Sequence, residues 1–394
     1  MNLFLLLSFG LCFSACLIIY LNPKFVFPNS TYIYTRNEKI PITRGSSYFV
    51  FLFFFGSFFL VLSSFQYINT AEYARFPIGS GWSNDMSRYW FGFQDAGEYS
   101  LKKFMFSQGQ EPIYLLLIFV ANKITAHFSY ILVFAYAFIL ISVLKFLKDF
   151  VKFDSFFTII VFFSLFYTFI LTSYCLFRMG LAVAVSLYTF RYIKLQKWKL
   201  AFVTAFIACG FHFSAAILFS IIVAYRIYNK KISFNFFMLI FSFVFLFGII
   251  FAKIIPSILK IFSSRYMSYK AEGIAFNTYM TNFIFLILIL YKRKIFFQDN
   301  IDDVCFITLL SSFFILDLQL VLGIFYRMIF FTYPCLVYIV SKLFKIYKVK
   351  KNEMLIPLCV RSFLIFYVFF FLYKFCTTSW FSYGLNNYEL FYFY

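Results

Sequence analysis

Ionisable side chains are scarce in this chain, and those lodged in or beside its apolar runs are the ones that could do chemistry. Asp85 lies in Trp82-Ser-Asn-Asp-Met-Ser-Arg88-Tyr89, and Glu111 directly precedes Pro112. Arg178 stands between two apolar runs in Tyr174-Cys-Leu-Phe-Arg-Met-Gly180, and His212 in Gly210-Phe-His-Phe-Ser-Ala215. Arg265 is followed by Tyr266, Arg327 precedes a run that contains Pro334, and Asp317 lies inside Phe314-Ile-Leu-Asp-Leu-Gln319. A guanidinium meets phosphate oxygens through parallel hydrogen bonds, and a carboxylate or an imidazole can take a proton. An ionised group at the centre of a bilayer costs about 2.5–3.5 kcal/mol on insertion scales, so each of these residues needs a reason to be there.

The elements that must position them follow from composition. The 394-residue chain is 63% hydrophobic, holds 68 Phe and is only 13% charged, with a mean hydropathy of +0.86. That excludes an ordinary water-soluble domain, which is about half apolar or less. The apolar residues form runs of about 15 to 21 separated by short charged connectors, which suits helices crossing a hydrocarbon core of about 30 Å. The runs lack the alternation of a barrel strand, so helices remain. The expected fold is all-α, a polytopic transmembrane bundle forming a single integral membrane domain over 1–394.

The net charge of +20 would suggest nucleic acid in a soluble protein. Here the bases cluster at the ends of apolar runs, as topology requires, and no basic stripe or recognition motif points to nucleic acid. The eight Cys show no Cys-x-x-Cys pair and no zinc spacing, and read as small buried hydrophobes. Met1–Tyr20 lacks a basic leader region and a small-residue cleavage site, and reads as a first span.

Spans are expected near Leu3–Leu21, Tyr48–Phe65, His127–Leu147, Phe156–Phe177, Met179–Tyr192, Phe234–Phe251, Thr278–Leu290, Val304–Leu322, Met328–Leu343 and Pro357–Tyr373. The stretch 199–226 has basic flanks at both ends and reads as a helical hairpin turning near His212. Pro112–Ile124 is too short to cross, and crossing would invert every later loop; it reads as a re-entrant half-helix buried against protein. The scheme has about twelve crossings. It puts the basic connectors in the cytoplasm and the acid-rich stretch 66–111 outside as a periplasmic loop.

Under that topology Asp85, Glu111, Arg178, His212, Arg265 and Arg327 converge on one outer face. Each has a plainer reading as well. Asp85 and Glu111 could solvate or cap, and Glu111 before Pro112 is a natural helix start. The arginines could snorkel to the interface, His212 could be a hydrogen-bonded turn residue, and Asp317 could pair with an arginine of the cluster. Three guanidiniums, Arg178, Arg265 and Arg327, opposite the basic loops run against the positive-inside trend, and an anion of phosphate geometry would account for them. Trp82, Trp90 and the tyrosines of the outer stretch suit either the interface belt or stacking on sugar rings.

Taken in order, these pieces resemble the EpsG family of Wzy-like polysaccharide polymerases. The likeness rests on Tyr174 to Ala184 around Arg178, on Arg191-Tyr-Ile and Lys197-Trp-Lys, and on Phe211-His212-Phe-Ser-Ala-Ala. Asn84-Asp85 with Tyr89, Glu111-Pro112, Arg265-Tyr266 and Arg327 through Pro334 extend it over most of the chain. Asn84 stands where the family pattern has Thr, Ser83 where it has Gly, and the C-terminus lacks a Pro-Tyr element.

The resemblance implies an inverting, metal-independent glycosyltransferase of GT-C type in a bacterial inner membrane, active at the periplasmic face and needing no cofactor. Its substrates would be undecaprenyl-pyrophosphate-linked oligosaccharides within membrane lipid, with a chain-length-regulating protein as a further partner. Arg178, Arg265 and Arg327 would hold the pyrophosphate as charge develops on it. His212, then Asp85, then Glu111 are the candidate bases for the acceptor hydroxyl. Tyr89 and Tyr266 would contact sugar. Rival readings are a lipid-linked oligosaccharide flippase, which would want its cations in a cavity open to both sides, and a membrane sugar O-acyltransferase, which His212 alone supports.

Overall fold

The computed structural model describes residues 32–34, 39–41, 85–125, 127–150, 161, 176–229, 233–239, 241–242, 276–319, 323–348 and 354–374. The expected spans Leu3–Leu21 and Tyr48–Phe65, the Arg265–Tyr266 pair, and most of 156–177 and 234–251 lie outside these residues. The fold is all-α in class. The exception among the described residues is a hairpin of β1 (Tyr32–Tyr34) and β2 (Lys39–Pro41), antiparallel with Ile33 opposite Ile40. The chain divides into two compact units, Met1–Ala184 with Val368–Tyr394, and Val185–Tyr367.

In the first unit, much of the outer stretch expected as a loop is helical. α1 (Asp85–Glu98) buries Tyr89, Phe93 and Ala96, spaced as one face of a helix. α2 (Leu101–Ser107) is capped by the Ser100 hydroxyl, which accepts from the Lys103 N–H, and buries Phe104. Gly109 then takes φ +55°, a turn conformation that costs a residue without a side chain little. α3 (Pro112–Ile124) follows, with Pro112 in its first turn, where no N–H is needed. Asn122 of α3 donates to the Phe93 carbonyl of α1 at 2.9 Å. A Cβ on Gly97 would stand 3.3 Å from that Asn122 side chain, so glycine permits the close approach. α4 (Phe128–Phe150) turns Tyr130, Phe134, Phe138 and Ile141 outward as one apolar stripe.

α5 (Phe177–Lys194) begins in the first unit and continues into the second. It is buried on nearly all sides, with Gly180, Ala182, Ala184 and Ser186 among its small residues. In the second unit α6 (Trp198–Phe211) ends at His212, a 3-10 turn occupies Phe213–Ala216, and α7 (Ile217–Tyr228) runs back against α6. Ala201, Ala205 and Ala208 line one face of α6 and are fully buried; such small residues let helix backbones approach closely. α8 (Phe276–Tyr291), α9 (Arg293–Phe296) and α10 (Asn300–Gln319) follow. α10 packs against α7, α8 and the elements after it.

Those elements are a 3-10 segment (Gly323–Phe331) and α11 (Tyr333–Ile346), and α12 (Leu355–Lys374) comes after them in the chain. The expected run from Met328 is therefore broken, because Pro334 has no N–H and its ring clashes with the carbonyl four residues back. The α-helix can start only beside it, as it does, with Pro334 in the first turn. α8 turns Met280, Phe283, Ile287 and Tyr291 outward, again an apolar stripe. Among the described residues no helix is long and apolar enough to cross a membrane.

Candidate functional site: a buried arginine in an aromatic cage

Arg178 occupies the first turn of α5, where the helix macrodipole is positive and repels a cation. Its side chain is 11% exposed, so burial and the dipole both work against the charge. Glu111 offsets both. It is the N-cap of α3, yet its side chain makes no capping hydrogen bond. Arg178 Nη1 donates to Glu111 Oε2 instead, and the carboxylate side chain is 7% exposed. A helix-start residue has been diverted to hold a cation.

Aromatic rings complete the cage. Arg178 Nε donates to the Tyr89 hydroxyl at 3.4 Å. The guanidinium carbon lies 5.5 Å from the ring centroids of both Tyr89 and Tyr114, within the range in which a ring face attracts a cation. The neighbouring Phe177 packs its ring 5.9 Å from Tyr89, 6.4 Å from Tyr114 and 6.0 Å from Tyr136. Glu111 shares its helix face with Tyr114, Leu115 and Ile118, all buried. Among the described residues Arg178 commits Nη1 and Nε to Glu111 and Tyr89, and its Nη2 side keeps N–H donors beyond those bonds. The arrangement can receive an anion without building a new cation.

The second unit holds the other described candidates. His212 closes α6 and opens the 3-10 turn, and its Nδ1 accepts from the Ser214 N–H at 3.2 Å. A neutral ring that accepts at Nδ1 carries its proton on Nε2, so His212 is set up there as a donor. The 3-10 segment with Arg327 packs against both that turn and α10. Asp317, near the end of α10, is 3% exposed. Its expected pairing with an arginine is absent among the described residues; the arginine pair that forms is Arg178–Glu111. Asp85 is the first residue of α1, and Arg265 and Tyr266 lie outside the described residues. The first unit thus brings Tyr89, Glu111 and Arg178 together, while His212, Asp317 and Arg327 belong to the second.

One polar cluster went unmarked by the sequence. Asp302, fully buried in the first turn of α10, accepts from the N–H groups of Gln298 and Asp299 at 2.8 and 2.7 Å. It also accepts from the Tyr338 hydroxyl at 2.7 Å and from Lys342 Nζ. An acid at the third helical position reaching back to the residue before the helix is one arm of a capping box, and that spacing was readable. The ties to Tyr338 and Lys342 are long-range and were not.

Fold and site together define an all-α protein whose first unit holds an arginine–carboxylate pair caged by aromatic rings. The EpsG family model matches residues 74–390, most of the chain and every candidate site residue named above, and the chain belongs to the EpsG family. No curated protein matches the chain, and no solved structure does.

Proposed function

We propose that the chain is an O-antigen or exopolysaccharide polymerase. It transfers a growing glycan from undecaprenyl pyrophosphate onto a lipid-linked repeat unit at the periplasmic face of a bacterial inner membrane. The single observation that carries this reading is Arg178, buried against its helix dipole, held by Glu111 and Tyr89, and keeping donors to spare. Breaking an anomeric C–O bond leaves negative charge on the pyrophosphate, and a prepositioned guanidinium stabilises charge as it develops. Inversion without a metal is part of the proposal. So is the polytopic membrane setting, which the outward apolar stripes of α4 and α8 favour over water. In this reading Glu111 positions Arg178, and Tyr89 lies at the sugar end of the leaving group.

The test is reconstitution. Purified protein in proteoliposomes, given undecaprenyl-pyrophosphate-linked repeat units, should yield a ladder of longer glycans on gels and release undecaprenyl pyrophosphate. Movement of the lipid-linked unit between leaflets with no change in glycan length would refute the polymerase reading and establish a flippase.

A further inference from the structure

α2 is the short helix of the first unit that the Arg178 cage does not use. It packs inward through Phe104, which is fully buried and meets the Phe119 ring of α3 at 6.0 Å. At about 100° per residue, Phe106 stands nearly opposite Phe104, with Lys102 to one side of it and Lys103 to the other. Phe106 is 82% exposed, Leu101 is 41% exposed, and both lysines are exposed. A phenyl ring kept in water has a cost that a polar residue would avoid.

The lysines are equally unattached. Neither they nor Lys123, near the end of α3, make an ion pair among the described residues. Lys103 and Lys123 stand instead over the Tyr99 and Phe119 rings, at 4.3 and 5.2 Å from the centroids. α2 itself contains no acid. On α1, Asp95 accepts from Gln108 Nε2 at 2.8 Å, and Glu98 is exposed and pairs with none of the three. Ile124, 80% exposed, adjoins Lys123, and the outward stripe of α4 opens shortly after it at Tyr130. Basic and apolar side chains are thus presented together at α2 and again at the end of α3.

That combination selects one occupant. A phospholipid bilayer offers phosphates at its surface and acyl chains just beneath, and a basic amphipathic helix lies between the two. Lysine stems reach from the apolar layer up to the phosphates. A free phosphate, or the pyrophosphate of the substrate, would meet the ammonium groups and leave the Phe106 ring in water. So short a helix would hold a free protein to a membrane only weakly. α2 is tethered, however: α3 and α4 follow it directly, and a tether replaces affinity with local concentration.

We propose that α2 lies in the plane of the outer leaflet's surface, with Phe106 in the acyl boundary and Lys102 and Lys103 on the phosphates of anionic phospholipid. The proposal rests on the membrane setting of the polymerase reading. It also sets a depth. Glu111 follows Ser107, the last residue of α2, by at most about 14 Å of extended chain. The Glu111–Arg178 pair is thereby kept near the level at which a lipid-linked pyrophosphate lies.

The test uses the full chain, carrying Phe106→p-benzoylphenylalanine, in proteoliposomes that mix phosphatidylcholine with the anionic phosphatidylglycerol. On irradiation the protein should gain the mass of a phospholipid. Phosphatidylglycerol should exceed its bulk share among the adducts at least ~3-fold, because each lysine near the surface favours anionic lipid. Adding Lys102→Gln and Lys103→Gln should abolish that preference while lipid adducts persist, and raised salt should weaken it. Absence of phospholipid adducts, adducts with a protein chain instead, or a preference that survives the loss of both lysines would overturn the proposal. So would loss of the glutamine variant from the membrane, which would make these lysines part of the folded core's support. Release of the wild-type chain from cell membranes by alkaline carbonate would instead bring down the membrane setting itself.

Discussion

Arg178 and Glu111 meet across the first unit, each from the first turn or cap of a different helix, and each is nearly sealed from solvent. Removing one partner of such a pair strands the other. Glu111→Gln should destabilise the protein by about 3–5 kcal/mol, and Arg178→Lys by less, because an ammonium can still reach the carboxylate. Thermal unfolding in detergent gives both values, and Glu111→Gln with Arg178→Gln closes a double-mutant cycle. A coupling energy near zero would show that the pair is not a unit.

The activity of those variants should run the other way. Lysine supplies a point charge and loses the planar fork that meets two phosphate oxygens. Arg178→Lys at normal abundance should therefore cut polymer yield at least tenfold, read as glycan ladder length on silver-stained gels. Full-length polymer from this variant would leave Arg178 a structural cation only.

Tyr89 contributes a ring and a hydroxyl, and these separate. Tyr89→Phe keeps the cation–ring contact and loses the long hydrogen bond from Arg178, so its stability loss should stay within about 0.5–1.5 kcal/mol. Tyr89→Leu also loses the packing against Tyr114 and Phe177 and should cost clearly more. Equal losses in the two variants, measured by denaturation in the same detergent, would assign the whole effect to the hydroxyl.

His212 makes a bond that asparagine can imitate. Its Nδ1 accepts from the Ser214 N–H, as a helix-capping side chain does. His212→Asn should hold wild-type stability, whereas His212→Ala should lose about 1 kcal/mol. If the Nε2–H serves the substrate, both variants lose polymer alike. Thermal midpoints beside gel ladders test the two statements separately.

How much of this was legible depended on how local the cause was. Pro112 marks the start of α3 because proline suits a first turn, and Ile124 ends it as the apolar run ends. His212 interrupts a run too long for one helix, and the chain turns there. The arginine's partner was not legible: Glu111 looked like a cap, and only the fold shows that its side chain is used elsewhere. The helices of the outer stretch were hidden because α1 is too polar overall to stand out. Its buried Tyr89, Phe93 and Ala96 form a face only once the helix exists. Asp302 and Lys342 are far apart in sequence, and no spacing rule joins them.

That last pair offers a further test in the second unit. Lys342→Met should leave Asp302, which is fully buried, without its cation, at a cost of about 3–5 kcal/mol. Adding Asp302→Asn should recover part of that loss, because the amide needs no counter-charge. Membrane abundance at rising temperature measures both, and failure of the second change to help would mean that Lys342 acts through its ammonium over the Phe296 and Tyr338 rings.

α3 is fastened near both ends. Asn122 grips the Phe93 carbonyl at one, and Glu111 grips Arg178 at the other. A helix pinned in this way acts as a protractor as well as a spacer, because each residue advances the bearing by about 100°. One residue inserted between Ile113 and Ala121 would leave its composition and hydrophobicity nearly intact, yet swing the carboxylate to the wrong side of the bundle. The angular setting of the arginine's counter-charge is thus written in the number of residues in this helix, not in their identity.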